Sequence, residues 1–206
     1  MVKILGLCGS PRKGATEYLI RQALDSLADM PEVSVSLSSL QGKKIAPCNG
    51  CNYCKKNQTW CIIKDDMQEL LQEFIDADAY LIGSPVYVYS VTPQLLAFFS
   101  RMRPLFHVFP GKLRNKFGVA VAAGGTRNGG QEMAVNTIIN LMLAREINVV
   151  SNEVGGYAGA MLWSQDKMEE GAREDVRALD MAQKLVHKLA EVALIYDAGK
   201  KARAGQ

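Results

Sequence analysis

Four of the five cysteines lie within fourteen residues, in the pattern C-x2-C-x2-C-x6-C. These are Cys48, Cys51, Cys54 and Cys61. Thiolates spaced two residues apart can surround one small inorganic core, and Gly50 permits the tight turn between the first two. In the comparable ferredoxin run, C-x2-C-x2-C-x3-C-P, the fourth cysteine binds a second cluster. This chain has no second set of three cysteines, so Cys61 is predicted to complete the same site.

Zinc and free thiols are the alternatives to an iron–sulfur cluster at these cysteines. Zinc ribbons usually pair two C-x2-C units that are separated by a dozen or more residues, and this chain has a different spacing. The total of five cysteines is odd, and four of them are clustered, which fits metal or redox chemistry in a reducing compartment better than a disulfide framework. The spacing therefore favours a [4Fe–4S] cluster and leaves a zinc site and free or disulfide-forming thiols open.

A second stretch with binding chemistry is GSPRKGAT, residues 9–16. It is close to the P-loop pattern G-x-x-x-x-G-K-[ST], but Ala15 replaces the lysine that holds the outer phosphates of a nucleoside triphosphate. The G-x-G-x-x-G spacing of pyrophosphate-binding loops is also missing. Backbone amides, two hydroxyls, two cationic side chains and a helix N-terminus suit a single phosphate. A glycine-rich turn without a ligand is the alternative. The predicted phosphate-binding residues are Ser10, Arg12, Lys13, Gly14, Ala15 and Thr16.

Strand-like and helix-like segments alternate along the chain and must position these residues. Apolar residues at helical spacing follow the strands, as in residues 66–76 and 176–193. This alternation predicts an α/β fold with a doubly wound, five-stranded parallel sheet in the flavodoxin-like order 2-1-3-4-5. The predicted strands are residues 2–8, 33–37, 79–84, 117–123 and 148–154.

The sequence predicts one domain over residues 1–195 and a flexible tail at residues 196–206. Residues 41–65 contain the four cysteines and interrupt the alternation between the second strand and its return helix. A structureless insertion of this length in a compact domain is usually functional. The cysteine-rich loop is therefore predicted to be part of the functional site.

Two further loops are expected beside the phosphate loop, because ligands of open α/β sheets bind beyond the carboxyl ends of the strands. They are residues 83–93 after the third strand and residues 122–132 after the fourth. Their apolar and aromatic side chains and backbone amides suit a flat isoalloxazine ring. A ring carrying one phosphate on this fold predicts FMN. The predicted ring-binding residues are Pro85, Val86, Tyr87, Tyr89, Gly124, Gly125 and Thr126.

The motifs GSPR-x-G-x-T, IGSPVY and GGTRNGGQE together resemble the NADPH-dependent FMN reductase and flavodoxin-like superfamily. With the cysteine motif before Asp65-Asp66-Met67, the chain resembles the iron–sulfur flavoprotein family within it. This resemblance implies FMN, one [4Fe–4S] cluster per subunit, and a homodimer or homotetramer in which the cluster of one subunit lies near a neighbour's flavin. It also implies electron transfer from a ferredoxin-like donor to a small oxidant such as dioxygen or peroxide.

Composition limits the other function classes. The net charge of +3 comes without a basic, aromatic face, so no nucleic-acid partner is expected. No apolar run is long enough to span a membrane and no signal-peptide pattern is seen, so we expect a cytoplasmic protein with no membrane partner. No acid–base catalytic residue is predicted. The alternatives are an NAD(P)H-dependent FMN or quinone reductase with structural cysteines, and a redox-sensing flavoprotein.

Lysines flank the cysteines at positions 43, 44, 55 and 56. Ordinary solvated side chains are the favoured interpretation. The alternative is a basic rim that steers an acidic ferredoxin towards the cluster.

Overall fold

The computed structural model describes residues 1–153 and 155–205 of the 206-residue chain. The strands are β1 (Val2–Cys8), β2 (Val33–Ser39), β3 (Ala79–Pro85), β4 (Phe117–Gly124), β5 (Asn148–Val149) and β6 (Gly159–Trp163). The helices are α1 (Ala15–Asp25), α2 (Tyr53–Asn57), α3 (Met67–Asp76), α4 (Pro93–Ser100), α5 (Arg103–His107), α6 (Gln131–Leu143), α7 (Met168–Glu174) and α8 (Val176–Ala204). None of the helices in these ranges is long and apolar enough to cross a membrane.

The strands form one parallel sheet in the order β2-β1-β3-β4-β5, with β6 also paired to β4. This confirms the predicted flavodoxin-like order. Helices cover both faces, because side chains along each central strand point alternately to opposite sides. Ile4 packs with α1 and α8, whereas Leu5 and Leu7 pack with α3, α4 and α6. The carboxyl ends of β1, β3 and β4 therefore lie along one edge of a sheet that is buried on both faces.

The fifth position of the sheet is divided between two short strands. β5 pairs with Phe117–Gly118 of β4, and β6 pairs with Ala120–Gly124. The predicted strand over residues 148–154 is thus a strand only at residues 148–149 in the described part, and its last residue, 154, lies outside the described residues. β6 was not predicted, because its first residues are small and follow a glycine-rich stretch that is typical of a turn.

Gly159 in β6 is a position where the sheet tolerates no side chain. A Cβ there would lie 2.3 Å from the backbone oxygen of Ala120 and 3.0 Å from Val135. A Gly159→Ala substitution is expected to lower the free energy of unfolding by about 1–3 kcal/mol, because the strands must separate to accept the methyl group. Denaturant unfolding measures this. Gly199→Ala, which meets nothing within 4 Å in α8, is the matched control and is expected to keep full stability. Equal stability of both variants would contradict the packing seen here.

The C-terminal segment differs from the expectation. α8 continues to Ala204, so residues 196–204 extend the last helix instead of forming a separate tail. The side chains from Gly199 to Gly205 are exposed, which explains why this segment carries no apolar periodicity in the sequence. Helix-forming Ala, Lys and Arg residues are enough to continue a helix that is already nucleated by its buried part.

Candidate functional site

The loop after β1 offers unpaired backbone donors at the start of α1. Gly14 precedes the helix without a side-chain cap, so the first amides of α1 have no partner from a capping side chain. Ser10 is buried, and its hydroxyl donates to the Arg12 carbonyl at 2.6 Å while accepting the Arg12 amide at 3.2 Å. Thr16 is buried, whereas Arg12 and Lys13 are exposed at the rim. This arrangement of amides, hydroxyls and cations fits a small anion.

Buried hydroxyls fix the loop after β1 to the loop after β3. The Thr92 hydroxyl donates to the Gly9 carbonyl at 2.6 Å. It also accepts a hydrogen bond from the Leu95 amide at 3.2 Å and thereby caps the start of α4. The Ser84 hydroxyl accepts the Thr92 amide at 3.1 Å. Thr92 and Ser84 are both fully buried. The sequence analysis missed these two residues, although the Thr-Pro pair at positions 92 and 93 is a helix-start signal.

The loop after β3 ends in a tight turn between Tyr87 and Ser90, whose backbones exchange two hydrogen bonds of 2.8 and 2.9 Å. Val88 and Tyr89 occupy the left-handed region, with φ of 46° and 64°. That region is strained for a β-branched residue such as Val88. Both side chains are exposed. Strain of this kind is concentrated at binding sites, which supports a role for this turn in holding a ligand.

The loop after β4 packs against that turn. A Cβ on Gly130 would lie 2.7 Å from the Tyr89 ring, so the two predicted ring-binding loops are in contact. The buried Gln131 side chain accepts the Gly129 amide at 2.8 Å and donates to the Thr126 carbonyl at 2.7 Å. Gln131 was not predicted as a site residue, although the motif that contains it was recognised. Its amide fixes the backbone of the loop from inside.

The segment after β6 completes this edge of the sheet, and no sequence signal pointed to it. The Trp163 indole donates to the Gly125 carbonyl at 3.0 Å, and the Arg127 guanidinium lies 4.4 Å from the centre of the Trp163 ring. A Cβ on Gly14 would lie 2.8 Å from Met168. The phosphate loop, the loop after β4 and the start of α7 therefore form one continuous surface with the predicted FMN-binding residues.

The cysteine-rich loop leaves the same edge after β2 and is closed at its base by two aspartates. The Asp66 carboxylate accepts a hydrogen bond from the Lys44 backbone amide at 2.6 Å. The backbone amide of Asp66 in turn donates to the Lys44 carbonyl at 3.1 Å. The Asp65 carboxylate accepts the amides of Ala46 at 2.9 Å and Met67 at 3.1 Å. These bonds bring the two ends of the loop together, so the cysteines between them are held in a closed segment.

Arg101, at the end of α4, holds the closed loop from the core side. It is 1% exposed and donates to the carbonyls of Ala46 at 2.8 Å and Ile63 at 3.0 Å. It also binds both oxygens of Asp65, at 2.6 and 3.2 Å. Burial favours the neutral acid at Asp65, but the hydrogen bonds from Arg101 and the backbone outweigh it and lower the pKa of this carboxyl. The pair is therefore ionised, with Arg101 buried and Asp65 half-buried at the base of the loop.

All four predicted ligands line one pocket. Cys54 is buried, Cys48 and Cys61 are half-buried, Cys51 is exposed, and all four are free thiols. The chain turns around the pocket through left-handed backbone at Gly50, Asn52 and Gln58. Within residues 1–153 and 155–205, no three His, Cys, Asp or Glu side chains converge on one point as the ligands of a single metal ion do.

Trp60 and the lysines lie at the outside of this loop. Trp60 stacks on Phe109, with the ring centres 4.3 Å apart, and thus covers the loop next to Cys61. Lys55 and Lys56 on α2 are exposed, and Lys43 lies 3.8 Å from Glu69. The lysines are thus placed as ordinary solvated side chains around the predicted cluster.

Comparison with known proteins shows the family of this chain. The sequence profile of the NADPH-dependent FMN reductase family matches residues 2–159. An iron–sulfur flavoprotein of Methanocaldococcus jannaschii is 38% identical over 192 residues, which cover 93% of this chain and 96% of the relative. The chain belongs to the iron–sulfur flavoprotein family. An iron–sulfur flavoprotein of Archaeoglobus fulgidus is 37% identical over 190 residues, which cover 92% of this chain and 96% of that relative.

Among solved structures, a WrbA-like flavodoxin of Agrobacterium tumefaciens superposes with a TM-score of 0.64 at 15% identity, covering 94% of this chain and 98% of that one. That similarity supports the flavodoxin-like fold. The family predicted from the sequence motifs is confirmed by the curated relatives. As a member of the iron–sulfur flavoprotein family, the protein is a flavin-dependent redox protein.

Proposed function

We propose that this iron–sulfur flavoprotein transfers electrons from a ferredoxin-like donor to a small oxidant, through one [4Fe–4S] cluster and one FMN. The observation that carries the proposal is the single pocket lined by Cys48, Cys51, Cys54 and Cys61 at the FMN-binding edge of the sheet. The relatives named as iron–sulfur flavoproteins support it, because they match 93% and 92% of this chain.

FMN is supported by the family match and by the shape of the loops. The uncapped start of α1, with Ser10, Thr16, Arg12 and Lys13, offers donors and charge for one phosphate. The contact between Tyr89 and Gly130 brings the turn after β3 against the loop after β4, so the two loops together can line one side of a flat ring. The missing lysine at Ala15 has a simple reason in this proposal, since a monophosphate has no outer phosphates to hold.

The donor set of the cysteine pocket fits a [4Fe–4S] cluster. A cubane cluster binds each thiolate to a different iron, so its ligands surround a core, whereas the ligands of zinc converge on one ion. All four cysteines line the same pocket, and their C-x2-C-x2-C-x6-C spacing is closer to a ferredoxin run than to the paired units of a zinc ribbon. The Asp65–Arg101 pair and the Asp66–Lys44 bonds hold the ends of the loop that carries them.

When bound, the two groups would supply one-electron transfer at the cluster and one- or two-electron transfer at the flavin. The residues of the chain perform the other tasks. The loops after β1, β3 and β4 orient the flavin, and Gln131 fixes their backbone. Trp60, stacked on Phe109, lies next to Cys61 on the outside of the loop. No described side chain needs to transfer a proton in this scheme.

The proposal is tested first by the ratio of iron and acid-labile sulfide to FMN in protein purified without oxygen. About four iron and four sulfide per FMN are expected from a cubane cluster on four thiolates. FMN with neither iron nor sulfide would overturn the cluster. Zinc in place of iron would assign the pocket a structural role.

An NAD(P)H-dependent FMN reductase is a second candidate function, because the matching family profile carries that activity in its name. In that case the flavin accepts hydride from a nicotinamide and the cysteines are structural. Rapid bleaching of the bound flavin by NADPH under argon would support this reading. Slow bleaching by NADPH and rapid bleaching by reduced ferredoxin would support electron transfer through the cluster.

A Gln131→Ala substitution is expected to weaken FMN binding about tenfold, which corresponds to about 1.4 kcal/mol. The reason is the loss of two buried hydrogen bonds that fix the loop from Thr126 to Gly129. Titration of the apoprotein with FMN, followed by quenching of flavin fluorescence, measures the dissociation constant. Gln72→Ala on the exposed face of α3 is the control, and equal affinities in the two variants would argue against a role for Gln131.

We also propose that the protein works in the cytoplasm as a homodimer or homotetramer. The exposed apolar side chains of Val88, Tyr89 and Phe106 support self-association, because apolar groups next to a site are often covered by a partner. Light scattering on the holoprotein measures the oligomeric state. A monomeric mass would contradict this part of the proposal.

A further inference from the structure

A second arginine lines the cysteine pocket and differs from Arg101 in its partners. Arg103, the first residue of α5, lines the same pocket as the four cysteines. Its Nη2 donates to the side-chain oxygen of Asn52 at 2.5 Å, and Asn52 lies between the second and third cysteines of the motif. Arg103 is therefore attached directly to the loop that would bind the cluster.

The charge of Arg103 is not balanced by an acidic side chain. Arg101 pairs with Asp65, whereas among the described residues no carboxylate lies within ion-pair distance of Arg103. The Nε of Arg103 is buried and has no hydrogen-bond acceptor in the described part of the chain. A buried donor without a partner costs about 1–3 kcal/mol, so such a group normally has an acceptor, which can be a ligand, an ion or a water molecule.

We propose that Arg103 donates to a cluster sulfur and stabilises the reduced cluster, raising its reduction potential. This inference rests on the proposed [4Fe–4S] function. A cluster on four thiolates carries net negative charge, and its reduction adds one electron from a low-potential one-electron donor, with no bond made or broken. Hydrogen bonds to the sulfurs and nearby charge set the potential of such clusters. Arg103 supplies both a cation and a donor.

Arg101 has a different task, because four of its hydrogen bonds hold the base of the loop. Its Nε also has no acceptor and it lines the same pocket. Replacing Arg101 would release the loop itself. Arg103 is only half-buried and has a neutral amide as its partner, so it can be changed with less damage to the fold. The experiment is therefore made at Arg103.

The test is the midpoint potential of the cluster, titrated with dithionite in anaerobic holoprotein and followed by electron paramagnetic resonance. In Arg103→Gln, the equilibrium constant for reduction of the cluster is expected to fall at least tenfold. For a one-electron couple this moves the midpoint potential of the cluster about 59 mV to a more negative value. Arg103→Lys keeps the charge but loses the Nε donor, so a smaller negative shift is expected. Lys200→Gln, an exposed residue beside Val2 and Phe117 at the amino ends of the strands, is the control and is expected to leave the potential unchanged.

The outcomes separate this inference from the function on which it rests. Wild-type protein without iron and sulfide would overturn the cluster and with it the role of Arg103. Full iron content with an unmoved potential in Arg103→Gln would overturn the role of Arg103 alone. If Arg103→Gln loses its iron, Arg103→Lys decides. A potential below that of wild type then supports the proposal, and a potential equal to wild type overturns it.

Discussion

A Cys54→Ala variant is expected to lose most of its iron and sulfide while it keeps its FMN. Cys54 is the most buried of the four thiols in the pocket, and its carbonyl accepts the Thr59 amide at 3.1 Å, which fixes it inside the turn. Loss of a group that only orients a metal ligand already weakens binding about 10–100-fold, so loss of a ligand is expected to cost more. Iron and sulfide per FMN after anaerobic purification measure the effect.

The fifth cysteine provides the matched control. Cys8 ends β1 in the core, and burial raises the pKa of its thiol to about 12. It therefore stays protonated at neutral pH and cannot act as a thiolate ligand. Cys8→Ala is expected to keep its full iron content. Equal iron contents in the two variants would show that Cys54 is not a ligand, and FMN lost together with iron from Cys54→Ala would show that the two sites are coupled through the fold.

That the four cysteines line one pocket could be predicted from the sequence because the information is local. All four predicted ligands fall within one short segment, and their spacing alone suggests a compact inorganic core. The phosphate loop is local in the same way, since Gly9 and Thr16 belong to one strand–helix turn. The sheet order followed from the alternation of strands and helices together with the rules of parallel sheets. These rules depend on the pattern and not on individual contacts.

The residues that hold these sites in place could not be predicted in that way. Arg101 meets Asp65 across 36 residues and Ala46 across 55, and Thr92 reaches Gly9 across 83. In the sequence, Arg101 appears as one basic residue at the end of an apolar helix. Only the fold shows that it is buried against the base of the cysteine-rich loop. A similar limit applies to β6, which is a strand because β4 offers it hydrogen bonds and not because of its own propensity.

Reversing two charges at the phosphate loop is expected to separate FMN from riboflavin. In an Arg12→Glu, Lys13→Glu variant, FMN affinity should fall about 30–100-fold at low ionic strength, or about 2–3 kcal/mol, because two attractions for the phosphate become repulsions. Both side chains are exposed, so the fold is expected to tolerate the change. Riboflavin keeps the ring and has no phosphate, so its affinity should change little. Titration of the apoprotein with each flavin measures both constants.

Lys55→Glu, Lys56→Glu changes the net charge by the same amount on α2 and is expected to leave FMN binding unchanged. The difference between the two variants should shrink as salt is added, because exposed charges are screened beyond about 8–10 Å at physiological ionic strength. If riboflavin affinity falls as far as FMN affinity, Arg12 and Lys13 act on the ring or on the fold. If neither constant moves, the phosphate is bound by the amides of α1 and the hydroxyls of Ser10 and Thr16, without help from the rim. In that case the absence of a lysine at position 15 would fit a site that binds its anion through backbone amides and the dipole of α1 instead of through charged side chains.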